Sequence, residues 1–442
     1  MVWPYIRRVS VVALILILSL TPGAAKATAP VVTVDTGVSA YAWYNIPALH
    51  RLVTTGLIDT PAPTRSGLLV VNTQKARTVA RIVVTPNLQV IEDDSPRGVF
   101  YLDRQPMTDV QSKLIETLNL RTGRIDRTVS FTTPGATILA IDPPTGHAIA
   151  SVTSGYSQTL QLLSSPGVVL RTRATPLSGS AYVDAPHRRL IFVSTTGQGN
   201  ATPTQPVTIV ALDMASLATA WTRVLPYQPA YSTIDPVSGR MLVLAPGGRV
   251  TIIDTVYGGI VGVAHPRTPV STLAPSGQTP LIAIDWRRRR AFLATAGTAT
   301  RTIDVADWST GVRRTLVSYK TSSGGGIIGG ALPQTPFDAN QTLMGVDQAS
   351  GNVVVAVERF ANGAITKVTL NAINPQSGRV VRAMTVSNPA GLMIQDWLTT
   401  GGGNSAQRIV ADGYLYGLGT TVQSNDQTGS QVVPAIFAIP AG

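Results

Sequence analysis

The chain has 442 residues, of which 44% are hydrophobic and 13% charged, enough apolar material for a sizeable core. It contains no Cys, which excludes disulfide bonds, a disulfide-linked partner, thiol nucleophiles and Cys-based metal sites. The formal charge of +12 favours anionic partners without choosing among cell-wall polymers, lipid headgroups and nucleic acid.

The first predicted element is a secretory signal. Arg7 and Arg8 form a positive start, Val9 to Leu20 is apolar, and Ala25-Lys26-Ala27 supplies the small-x-small pattern of a cleavage site. The apolar stretch falls short of the roughly 20 residues of a membrane span, so cleavage after residue 27 is expected, with an uncleaved anchor as the alternative. No other long apolar run follows, and no integral span is expected after cleavage. Removal of residues 1–27 takes away three basic residues and no acid, leaving 32 basic against 23 acidic side chains, a formal +9. Residues 28–60 are expected as a mobile lead-in and residues 61–442 as the folded domain.

Beyond the lead-in a pattern recurs: a short apolar strand ends in Asp, a tight turn follows, and a second apolar strand begins, often on a basic residue. It is seen at Leu139–Gly146, Thr233–Arg240 and Gly345–Gly351, in variant form at Tyr182–Arg189, Ile282–Arg290 and Ile409–Gly413, and most weakly at Asp94–Gly98. The anchors Asp94, Asp142, Asp184, Asp235, Asp285, Asp347 and Asp412 are separated by 48, 42, 51, 50, 62 and 65 residues. These spacings suit a four-stranded propeller blade of roughly 40–50 residues, with insertions in the last two. The turn chemistry explains the recurrence. Asp accepts a hydrogen bond from the backbone two residues on, and a closing Gly takes the left-handed conformation. A second turn follows most anchors, at Leu118–Arg124, Leu212–Ser216, Ile253–Gly258, Ile303–Gly311 and Ile373–Arg379. Each unit therefore reads as four antiparallel strands, a to d.

These Ile-Asp-x-x-(Ser/Thr)-Gly hairpins, over residues 68–440, resemble the YVTN-repeat propellers of the YncE-like type, within the quinoprotein-like class. The resemblance implies an all-β, seven-bladed β-propeller. A YVTN tetrapeptide is missing, as are the Trp-Asp and Gly-His marks of WD40 blades. The last unit lacks a fourth strand, which an N-terminal strand would supply, closing the ring. Leu68–Asn72 and Val79–Val84 read as strands c and d. Were residues 38–58 to add two strands, the ring would have eight blades.

Antiparallel strands put the a–b and c–d turns on one face and the b–c and d–a loops on the other. The short-turn face collects Arg residues, and the candidate anion-binding set is Arg287, Arg288, Arg289, Arg290, Arg313 and Arg314, since guanidinium pairs bidentately with phosphate or carboxylate. The alternative is that these residues keep strand edges soluble and pair with the anchor Asp. The long-loop face carries Thr196–Pro206, Lys320–Gln341 and Ser387–Gln407, where a specific site is expected. No catalytic, cofactor-binding or metal-ligating residue stands out. His50, His147, His187 and His265 are not at ligand spacing, and no Gly-x-Ser-x-Gly elbow occurs. The expected function is a monomeric, exported, non-catalytic binding or interaction propeller, in the periplasm, at the cell surface or secreted. Its partner would be a protein or an anionic cell-surface polymer. The alternative is an exported lactonase-like or dehydrogenase-like propeller enzyme working on the long-loop face.

Overall fold

Val, Ile, Leu and Thr dominate the stretches between turns, and these β-favouring runs pair as strands throughout. The computed structural model describes residues 32–440, apart from 59–64, 84–87, 105–111, 133–134, 155–156, 176–178, 195–204, 236, 247, 266–281, 296–299, 321–341, 362–363, 388–392, 398–409 and 426–428. The expected signal segment, 1–27, lies outside the described residues. Among the described residues no helix is long and apolar enough to cross a membrane.

The strands form eight antiparallel sheets, each a blade. Blade 1 comprises Val38–Ile46, Arg51–Ile58, Arg65–Asn72 and Arg77–Val83; blade 2, Leu88–Asp94, Val99–Arg104, Ser112–Asn119 and Arg124–Thr132. Blade 3 comprises Ala136–Asp142, His147–Ser154, Ser157–Ser164 and Val168–Ala174; blade 4, Gly179–Asp184, Arg189–Ser194, Val207–Asp213 and Thr219–Leu225. Blade 5 comprises Tyr231–Asp235, Arg240–Leu244, Val250–Asp254 and Ile260–Ala264; blade 6, Ile282–Asp285, Arg290–Thr295, Thr300–Asp307 and Val312–Lys320. Blade 7 comprises Thr342–Val346, Val353–Ala361, Ala364–Ile373 and Val380–Ser387. Blade 8 takes its inner strand in two pieces, Met393–Trp397 and Val410–Ala411, then Tyr414–Asn425 and Gly429–Pro440.

The fourth strand of blade 8 is Val32–Thr36, which pairs antiparallel with Gly429–Pro440 from Val32↔Ala438 to Thr36↔Ala435. The N-terminal strand thus closes the ring on its last blade. The ring has the eight blades of the alternative reading rather than seven, with residues 38–58 adding two strands, and the segment expected as a mobile lead-in over 28–60 holds the strands Val32–Thr36, Val38–Ile46 and Arg51–Ile58. The reason lies in one turn. The seven Asp anchors mark blades 2 to 8, whereas blade 1 turns through a 3-10 segment, Pro47–Leu49, and ends on His50 at φ 52°. It carries no Asp to be counted.

Apolar clusters fill the seams between neighbouring blades. Leu242, Leu244 and Ile252 of blade 5 meet Ile284, Leu293 and Trp308 of blade 6, and Val34, Trp43, Leu52, Tyr416 and Ile436 join blade 8 to blade 1. Each fully buried Leu, Ile or Phe there contributes about 1.5–3 kcal/mol. The last strand of each blade is the outer edge, and that of blade 3 is exposed over most of its length. In blades 1 to 7 the register between third and fourth strands shifts near the hairpin, at Val70/Val71, Thr117/Leu118, Leu162/Leu163, Ala211/Leu212, Ile252/Ile253, Ile303/Asp304 and Ala372/Ile373. A bulge at this position twists the free edge and weakens it as a template for another strand.

Candidate functional site: the short-turn face

The short-turn face is built by Asp and Asn side chains that close their own turns. Asp235 accepts the Val237 N–H at 3.3 Å and the Ser238 N–H at 3.1 Å, and Asp285 accepts the Arg288 N–H at 3.0 Å. In the c–d turns Asp254 takes the Val256 and Tyr257 N–H groups at 2.9 Å each, and Asp307 takes those of Ser309 and Thr310 at 3.0 and 3.2 Å. Blade 6 thus turns on Asp307, and Asp304, inside the strand, is a buried partner of Arg313. The two turns of a blade are tied together by one backbone bond, which ends on the left-handed residue of the a–b turn. Thr73 donates to His50 O at 3.1 Å, Leu120 to Gly98 O at 2.9 Å, Met214 to Arg188 O at 3.1 Å, Thr255 to Gly239 O at 3.0 Å and Trp308 to Arg289 O at 3.1 Å.

Neighbouring blades are latched through the same turns. The anchor carboxylates of Asp94, Asp142, Asp184 and Asp285 are fully buried, and each holds a cationic or imidazole partner. The partner comes from one of two places. Where the next blade's left-handed residue has a long side chain, that residue reaches back. Arg188 donates through Nε and Nη2 to Asp142 of blade 3, both at 2.7 Å, and His50 of blade 1 meets Asp412 of blade 8 at 2.9 Å. Where the left-handed residue is Gly, the partner is the residue three after the Asp in its own turn: Arg97, His187 or Arg288. At two of these positions the Gly is required sterically as well as for its φ. A Cβ at Gly239 would lie 2.7 Å from the His187 ring, and one at Gly351 2.6 Å from the Arg288 guanidinium. Thr255 of blade 5 and Thr73 of blade 1 add hydroxyl bonds to Asp184 and Asp412.

Asp235 departs from this scheme. Its bonds come from its own turn, and burial, opposed by the Ser238 hydroxyl, holds its carboxyl above the ordinary value of 3.8. Asp94 is also raised, by burial that outweighs Arg97, and Asp103 by burial that outweighs Lys113. Burial likewise pushes Tyr231, which opens the inner strand of blade 5 that Asp235 ends, up to about 12.

The six Arg residues of the candidate set do not form one patch. Arg288 bonds Asp285 at 3.2 Å and reaches Gln348 O and Ala349 O of blade 7, each at 3.1 Å. Arg290 pairs with Asp307 at 3.3 Å within its blade. Arg313, 2% exposed, grips Asp304 at 2.8 and 3.1 Å and donates to Gly248 O of blade 5 at 3.0 Å. Arg314 donates to Pro375 O and Gln376 O of blade 7 at 2.6 and 3.3 Å. Arg287 and Arg289 alone of the six are exposed with no bonded partner among the described residues. Outer-strand Arg residues repeat the Arg314 tie: Arg171 donates to Ser216 O at 2.7 Å and Arg223 to Gly258 O at 2.8 Å.

Sequence reasoning missed the His50–Asp412 latch, whose partner is set by the ring, and also the His187–Asp184 bond, which lies within one turn. For His187 the signal is a long side chain at position three paired with Gly in the next blade, and for His50 a long side chain at the left-handed position itself. Among the described residues no group of three or more His, Asp or Glu is placed to hold a metal ion. Of the long-loop face, 195–204, 321–341, 388–392 and 398–409 lie outside the described residues, so most of each expected loop does too. Trp308 is 4% exposed and packs edge-on against Trp286 at 5.8 Å.

No family model matches the chain, and no curated protein matches it. Solved structures similar to it include BamB from Moraxella catarrhalis, at 14% identity and a TM-score of 0.37 over 93% of this chain and 99% of that one. Sqt1 from Saccharomyces cerevisiae is similar at 12% identity and a TM-score of 0.43 over 94% and 100%. A eukaryotic initiation factor is similar at 11% identity and 0.41 over 78% of each chain.

Proposed function

We propose that this chain is an exported, non-catalytic β-propeller that acts as an interaction scaffold for another protein at or outside the cell surface. One observation supports the reading most. On the short-turn face the carboxylates, hydroxyls, imidazoles and most guanidiniums hold one another, within a turn as Arg288–Asp285 does and across blade boundaries as Arg188–Asp142 and His50–Asp412 do. The groups left outward there include Arg287, Arg289 and the apolar Val237 and Tyr257, which offer contact chemistry on a rigid frame. Export is supported by the Arg7–Ala27 segment.

The test is made in cells that express the full chain. The expected result is a processed protein beginning at Thr28 in an extracytoplasmic fraction, and one discrete cross-linked protein partner when intact cells are treated with a short cross-linker. An unprocessed chain held in the cytosol overturns the address. Turnover of a lactone, glycan or peptide by the purified protein at enzymatic rates overturns the scaffold.

A further inference from the structure

Blade 5 carries the two most exposed large hydrophobic side chains described, Tyr257 at 81% and Val237 at 62%. Both sit at turn tips on the short-turn face, and both backbone N–H groups are fixed by a carboxylate, Tyr257 on Asp254 at 2.9 Å and Val237 on Asp235 at 3.3 Å. The tips are tied by the Thr255 N–H on Gly239 O at 3.0 Å, so the two side chains stand on one braced platform. Ile260 and Val261, at 44% and 50% exposed, carry the apolar surface onto the outer strand. A tyrosine presented in this way contributes large contact area at low entropic cost, because its backbone is already ordered.

The charge beside the platform comes from blade 6. Arg289 is left-handed, at φ 58°, and occupies the turn position that Arg188 holds in blade 4 and His50 in blade 1. Those two residues reach back to the preceding blade's anchor, Asp142 and Asp412. The same direction from Arg289 leads to the Asp235–Gly239 turn that carries Val237. Arg289 makes no such latch: Asp235 is held by Val237 and Ser238, and Arg289 is exposed. Arg287, two residues earlier, is exposed as well. A position used elsewhere to lock the ring is here left facing solvent, in the blade that follows the one carrying the two apolar tips. Exposed Tyr and Arg are the residue types that dominate binding energy at protein interfaces.

We infer that Val237, Tyr257, Arg287 and Arg289 form a docking surface for an acidic segment of a partner protein that also carries a large apolar side chain. The inference rests on the scaffold reading and names the partner's chemistry. The two guanidiniums take carboxylates, the apolar tips take the hydrophobic side chain, and the charge steers encounter. A bare polyanion would use Arg287 and Arg289 and leave Tyr257 without a role.

The test is to pan a library of random twelve-residue displayed peptides against the full chain. Peptides bound by the triple variant Tyr257→Ala/Arg287→Glu/Arg289→Glu are first removed. The retained peptides are expected to be net negative and to contain an aromatic residue or Leu. Their affinity should fall at least tenfold in Tyr257→Ala alone and in Arg287→Glu/Arg289→Glu, and stay unchanged in Arg382→Glu, at an exposed site on blade 7. All four substituted residues are exposed, and unchanged thermal melts confirm that the variants fold. Retained peptides without that bias, or affinity indifferent to Tyr257→Ala, overturn the inference, and equal binding of heparin by wild type and Tyr257→Ala assigns the Arg pair to polyanions. Self-association of the wild type that the triple variant abolishes assigns the surface to a second copy. If the cellular cross-link persists undiminished in the triple variant, the docking surface fails and the scaffold reading stands.

Discussion

Asp235 is the anchor at which local chemistry and the ring disagree. Its carboxyl is held above 3.8 by burial, so the folded state binds that proton more tightly than the unfolded chain does. The associated stability is fully present below pH 3.8 and is lost as pH rises through the folded value, and at neutral pH the buried charge is a cost. Asn keeps the oxygen that accepts the Val237 N–H, gives up the second acceptor, which takes the Ser238 N–H, and removes the charge, which is the larger effect where burial outweighs those bonds. Asp235→Asn is therefore expected to raise the midpoint of thermal unfolding at pH 7 and to lose that advantage near pH 3.5; a lower midpoint at pH 7 would refute the account. Gly239 makes the opposite prediction. Ala there takes a left-handed φ of 61°, at about 1–2 kcal/mol, and its Cβ strikes the His187 ring. In a double-mutant cycle His187→Ala should recover the steric part and leave the backbone part. Strict additivity of the two changes would mean that the ring and the Gly do not compete for space.

At the level of elements, legibility followed locality. Seven blades were readable because an Asp that closes its own turn does so within three residues, as Asp347 does with Ser350 at 2.6 Å. Blade 1 was read only in part, its last two strands as c and d and its first two only as the eight-blade alternative, because Pro47–Leu49 turns without an Asp and His50 finds its carboxylate 362 positions away on Asp412. Pairing of the short-turn Arg residues with the anchor Asp, the alternative reading, is what Arg288 does with Asp285, yet which Arg would pair was not visible. Whether Arg288 or Arg289 bonds a neighbour depends on which blade lies beside it, and the spacing of charges within one turn carries no such information. The bulges were hidden too, since a register slip between third and fourth strands leaves the alternation of each strand intact. Packing between elements yields a simpler expectation. Phe292, fully buried, lies in the seam with Met344, Val346 and Val353 of blade 7. Phe292→Ala should cost about 3–5 kcal/mol, measured by denaturant unfolding. A cost under 1 kcal/mol would show that the blade 6–7 seam collapses onto the cavity.

For the whole molecule, the decisive element is the five-residue strand Val32–Thr36, because a ring of blades is stable only when every seam has both walls. This strand covers the outer edge of Gly429–Pro440, puts Val34 into the cluster with Tyr416 and Ile436, and aims Asp35 at blade 1. There Thr78 donates to Asp35 Oδ2 at 2.7 Å and Arg81 lies 3.5 Å from Oδ1. A chain shortened to begin at Val38 keeps all of blades 1 to 7 yet exposes a long, apolar strand edge on blade 8. It is expected to melt at a lower temperature than a chain beginning at Val32 and to associate with rising concentration, as light scattering would record. A synthetic peptide spanning 31–37, added in excess, should reverse both effects by restoring the edge pairing, as a ligand bound only to the folded state must. Asp35→Ala in that peptide should weaken the rescue. Equal melting of the two chains, with no response to peptide, would mean that blades 8 and 1 are held by the His50–Asp412 latch and the Tyr416 seam alone, and that the N-terminal strand only caps an edge already stable.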